Sequence, residues 1–173
     1  MDYYGGRELA DAFRTVRKNT TKIAEDIPEE HYGFRAVPEV MSVAEELAHV
    51  AASTAWPLQL HGVDRKTHVS FEDFAGYTAM VRELEATLTT RQAIIEALYQ
   101  RGEAFAAWLE TLTDEQLRER VSFPAPVHPP SRSRFEMLLS TKEHEMHHRG
   151  KLMLVERLLG IVPHLSRQRP GKS

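Results

Sequence analysis

No cysteine occurs in the chain. Disulfides, thiolate metal ligands and a cysteine nucleophile are therefore excluded. No apolar run approaches the roughly 20 residues that a membrane-spanning helix needs, so no membrane partner is expected. The opening stretch, MDYYGGRELADAF, lacks the basic start and apolar segment of a signal peptide, and the expected location is cytoplasmic. A basic excess is also missing: 22 Lys and Arg stand against 25 Asp and Glu, a formal net charge of −3. Nucleic-acid contact calls for a basic face, and this balance argues against a nucleic-acid partner. With 42% hydrophobic and 27% charged residues, the composition is that of a soluble globular protein rather than a disordered one. A chain of 173 residues suits one domain with a self-sufficient core.

Helical periodicity is what the chain does have. Leu9, Phe13, Val16, Thr20, Ile23 and Ile27 recur at steps of three and four between Arg7 and Ile27. That is one helical face, and Pro28 ends it. GFRAVPEVM reads as a connection with turn signals at Gly33 and Pro38. Ser42-Val43-Ala44-Glu45 is a capping box. It opens a second helix through VAEELAHVAASTAW, expected to stop near Pro57 to Gly62. Residues 62–89 read as a short helix or two forming a long crossover. A third long helix is expected from Arg91 to Leu112, and TDEQL (Thr113 to Leu117) repeats the capping pattern for one further turn. Four prolines within seven positions keep VSFPAPVHPPS (Val121 to Ser131) out of a helix. The last helix is expected from Ser133 to Leu159, capped by Gly160. Four long amphipathic helices with one long crossover make an all-α four-helix bundle over residues 1–165. A short polar, basic tail, 166–173, is expected to fray.

The last helix carries HEMHHRGKL, residues 144–152, in which His144-Glu145-Met146-His147-His148 satisfies H-E-x-x-H. His144 and His148 lie one turn apart and can point at a single ion. Met137, Thr141, Leu152, Val155 and Leu159 lie on or beside the same stripe, which is read as facing the core. His147 falls toward the stripe's edge. A third ligand must come from another helix, and His49 lies inside a predicted one. His31, His61, His68, His128 and His164 fall in predicted loops or ends. The plainer alternatives are a satisfied core residue at His49 and surface decoration in the final helix. Against them, a bundle interior disfavours three unpaired imidazoles, and a metal removes that penalty. A zinc metallopeptidase would need Glu145 aimed at an activated water and a third ligand downstream. Only 25 residues follow His148, no H-x-x-G-x-x-H continuation appears, and no strand-rich segment could hold a peptide. Trp108 is read as core. Trp56, beside Pro57, is read as packing at a helix end, with a pocket wall as the alternative.

On these residues the chain resembles the DinB/YfiT-like family of metal-binding four-helix bundles. The resemblance covers nearly the whole chain. It rests on NTTKIAEDIPEEHYGFRAVPEVMSVAEELAHVA and on SRFEMLLSTKEHEMHHRGKLMLVERLLGIVP. It implies an up-down-down-up bundle and a divalent ion (Zn, Ni, Fe or Mn) held by His49, His144 and His148, with His147 not a ligand. The family often reads R-G-Q where this chain has Arg149-Gly150-Lys151. A small-molecule substrate is implied, and the relatives' activities point to metal-dependent hydrolysis or to transfer and isomerisation with a low-molecular-weight thiol. A homodimer is expected. The rival reading is a non-enzymatic metal-binding or dimerising bundle. No catalytic side chain is assigned, and Glu145 is the one candidate base.

Overall fold

In the computed structural model, residues 4–167 are described. Helix α1 (Gly6–Asp26) buries Leu9, Phe13, Val16, Thr20 and Ile23, the stripe read from the sequence. Helix α2 (Val43–Ser53) opens with the capping box: Ser42 Oγ accepts from the Glu45 N–H at 3.3 Å, and Glu45 Oε2 accepts from the Ser42 N–H at 2.7 Å. Pro57 does not stop this helix. The chain breaks at Thr54, resumes at Ala55–Pro57 and adds a π-helical turn, Leu58–Val63. A proline near the start of a resumed segment removes one donor without blocking the next turn. His61, expected in a loop, therefore sits on a helical turn and is buried.

Helix α3 (Phe71–Ala86) is a single helix of 16 residues where shorter pieces were expected. Helix α4 spans Arg91–Glu110 and the short α5 spans Asp114–Arg118. Strands β1 (Arg120–Ser122) and β2 (Ser131–Ser133) pair antiparallel and enclose the proline-rich segment. Helix α6 (Arg134–Leu158) also starts at a capping box, Ser133 with Glu136. Gly160 lies just beyond it with φ +76°, left-handed backbone that glycine adopts without strain. Ser166 and Arg167, assigned to the fraying tail, are held by Arg157 and Asp26 respectively. The rest of that tail, 168–173, lies outside the described residues.

Two buried clusters set the helix directions. At one end Leu9 and Phe13 of α1 pack with Phe105 and Leu109 of α4 and Leu138 of α6, with Leu58 against them. At the other end Ile23 packs with Leu47 of α2, Leu98 of α4 and Leu152 of α6. Following residue numbers between the clusters gives α1 up, α2 down, α4 down and α6 up. Because α2 and α4 point the same way, the chain must climb back between them. Helix α3 makes that climb, about 24 Å at 1.5 Å per residue, packed against α2.

The middle of the bundle is not apolar. Arg17 of α1 and Glu145 of α6 are both buried, and Arg17 Nε lies 3.0 Å from each Glu145 oxygen. Arg17 also donates to the carbonyls of Leu98 (3.0 Å) and Val50 (3.2 Å), so one side chain ties all four helices. No helix among the described residues is long and apolar enough to cross a membrane.

Candidate metal centre

His49 projects from the middle of α2, and His144 and His148 from successive turns of α6. His49 Nε2 is 3.2 Å from His144 Nε2, and His148 Nε2 is 3.0 Å from the same atom. One nitrogen of each ring lies within 4.8 Å of the others. Three donors about 2.1 Å from a common ion stand about 3.0–3.4 Å apart for angles between octahedral and tetrahedral. The two close pairs fall in that range, so these residues fit a first-row divalent ion.

The back of each outer ring is held. His49 Nδ1 is 2.6 Å from Glu85 Oε1 of α3, and His148 Nδ1 is 2.7 Å from Glu46 Oε1 of α2. A carboxylate accepts only, so both rings spend their one proton at Nδ1 and turn the Nε2 lone pair inward. His144 can donate to one of those two nitrogens, not both. The other contact sets two lone pairs face to face unless a cation lies between them. A proton is a poor candidate, because burial and then the neighbouring imidazoles push His144 down to about 4. Burial alone would raise Glu46. The hydrogen bond from His148 and the nearby Lys151 outweigh that and hold Glu46 below the usual carboxylate value.

His148 is buried, while His49 and His144 are half-buried and line a cleft of about 370 Å³. Trp56, Tyr77, Val81 and Met137 give the cleft apolar walls. Trp56 is thus a pocket wall, the alternative left open by the sequence. The buried positions of α6 are Arg134, Leu138, Glu145, His148, Leu152 and Glu156, so His148 and Leu152 of the expected stripe are buried while Met137, Thr141, Val155 and Leu159 are half-buried. His147 is exposed on the far side of His148. Glu145 serves Arg17 in the core and does not face the three imidazoles. It is no general base here, and the metallopeptidase geometry is absent. Sequence reasoning missed Glu46 and Glu85. Glu46 had a signal, standing one turn before His49. Glu85 had none, being 36 residues from its partner.

A sequence model of the DinB superfamily matches residues 12–152. The uncharacterized protein YjoA of Bacillus subtilis is 24% identical over 153 residues, covering 88% of this chain and 90% of that one. The crystal structure of YjoA, a DinB-like protein, superposes with a TM-score of 0.68 at 21% identity, covering 94% of this chain and 99% of YjoA. YfiT of Bacillus subtilis, described as a probable metal-dependent hydrolase with an unusual four-helix bundle topology, gives 0.68 at 14% identity over 93% of this chain and 91% of YfiT. The colibactin self-resistance protein ClbS, solved in complex with double-stranded DNA, gives 0.63 at 13% identity over 91% and 98%. That last structure corrects the sequence-based exclusion of nucleic acid, since a chain of this fold binds DNA. The flaw was physical: net charge sums the whole molecule, whereas contact depends on the local field of one face, screened from distant acids within about 10 Å. The matched span covers most of the chain and the bundle topology agrees with it: the chain belongs to the DinB superfamily.

Proposed function

We propose that this protein is a divalent-metal-dependent enzyme acting on a small molecule, with the ion held by Nε2 of His49, His144 and His148. The observation that carries the reading is the convergence of three imidazoles, two of them backed by carboxylates, with His49 and His144 lining an apolar cleft. A purely structural ion favours a closed set of ligands, whereas three ligands beside an open cleft leave positions free. A first-row ion there supplies Lewis acidity and acidifies a water or a thiol entering its open positions. Glu85 and Glu46 fix the tautomer and aim of the imidazoles. Trp56, Tyr77 and Met137 exclude bulk water and seat an apolar group. The resulting activity is hydrolysis or transfer of a low-molecular-weight thiol. The test uses untagged protein loaded separately with Zn²⁺, Ni²⁺, Mn²⁺ or Fe²⁺. Hydrolysis of 4-nitrophenyl acetate and conjugation of glutathione or cysteine to 1-chloro-2,4-dinitrobenzene are measured. The expected result is metal-dependent turnover in one assay, lost in His144→Ala. A bound ion with no exchangeable coordination position would refute the enzyme reading in favour of a structural site.

A further inference from the structure

The cleft does not end at Trp56. A second cavity of about 210 Å³ adjoins it, and the two share Trp56, Pro57, Met137 and Ser140. Aromatic rings line the way: Phe74 lies 6.0 Å from Trp56 and 6.1 Å from Phe123, centroid to centroid. His128 and Ser140 also line this cavity, and two further polar groups stand in its apolar wall. One is His61, 6% exposed, whose Nδ1 lies 2.8 Å from Nη1 of Arg134. A guanidinium only donates, so Nδ1 accepts and the ring proton sits on Nε2. Arg134 is itself fixed by Glu119 at 2.6 Å and the Arg65 carbonyl at 3.3 Å. Burial, then the Arg134 charge, push His61 down to about 3, which keeps the ring neutral. The Nε2–H has no acceptor among the described residues, and His61 lines the cavity. The other group is Arg132 of β2, which lines the same cavity and forms no ion pair within 4.0 Å among the described residues.

A neutral N–H donor held in a fixed tautomer and an unpaired guanidinium make a donor pair for a planar anion. We propose that this second cavity is the subsite for the far end of the substrate, and that it takes a carboxylate carried on an apolar aryl or alkyl body. The carboxylate accepts from His61 Nε2–H and pairs with Arg132, and the apolar body passes Trp56 toward the three histidines. The direction in which the substrate lies rests on the metal-site reading; the subsite itself needs no ion.

Calorimetry of the full chain with 4-phenylbutyrate and 4-phenylbutan-1-ol tests this. The acid should bind about tenfold or more tighter than the alcohol, as expected for a charge-assisted pair. Arg132→Gln should bring the two within about threefold while leaving the alcohol's affinity unchanged. In ¹⁵N-histidine-labelled protein the acid should shift the His61 Nε2 resonance. His144→Ala should keep the preference for the acid, so loss of the metal site and loss of the subsite read out separately. Equal affinity for acid and alcohol, no binding of either, or a preference that survives Arg132→Gln would overturn the assignment.

Discussion

Charges placed where the helical pattern calls for apolar residues decide much of this molecule. Glu145 occupies a core position of α6 only because Arg17 meets it with two hydrogen bonds. Removing one member leaves the other charged and buried. Glu145→Ala should therefore lose about 3–5 kcal/mol in urea unfolding and keep its zinc stoichiometry; a loss below about 1 kcal/mol would contradict the pair's role. Glu156 is a different case. It is 0% exposed, and both of its oxygens lack a partner. Burial, then the nearby Asp26, raise it to about 7. The folded chain thus keeps a proton that the unfolded chain releases near about 4.3, and stability from this group fades as pH rises toward about 7. Glu156→Gln cannot ionise. Relative to wild type it should gain about 1 kcal/mol, roughly 2–4 °C, at about pH 8, and the gain should shrink at about pH 5.5. A difference that does not change with pH would contradict this. Neither charge was legible from periodicity, which treats a glutamate in a stripe as a gap. The three histidines were legible because each lies on a helix whose register the apolar residues fix.

Among the elements, α3 shows why part of the fold was hidden. Of its 16 residues only Tyr77 is buried, so its apolar pattern is weak and the segment reads as broken pieces. The strands are three residues long, too short for alternation to register. By contrast α1, α4 and α6 bury long stripes, and the cap at Ser42 marks the start of α2. Yet α3 supplies Glu85, which orients His49. Glu85→Ala and Glu46→Ala should each weaken zinc affinity about 10–100-fold in competition with a chromophoric chelator. Unchanged affinity in both would remove the carboxylates from the account. In α4, Gly102 faces Arg17 so closely that a Cβ would stand 2.6 Å from its Cγ. Glycine to alanine within a helix ordinarily stabilises by about 1 kcal/mol. Here Arg17 is pinned by Glu145 and two carbonyls and cannot swing away. Gly102→Ala should instead destabilise by about 1–3 kcal/mol, and a more stable variant in thermal melts would show that Arg17 is free to move.

At the scale of the whole molecule, two helices that point the same way force a long return, and that return builds the site. Helices α2 and α6 carry the imidazoles, α3 closes one flank, and the cleft opens between them. The bundle was legible once four long helices and one long crossover had been counted, and its up-down-down-up order was implied by the family resemblance. The cleft was not, because its walls come from segments far apart in sequence, such as Trp56, Tyr77 and Met137. The central claim is that His49, His144 and His148 hold one divalent ion. Elemental analysis of untagged wild type and of four single variants tests it most directly. The account predicts about one ion per chain in wild type and in His147→Ala, and near-complete loss in His49→Ala, His144→Ala and His148→Ala. An ion kept by His144→Ala and lost by His147→Ala would contradict it.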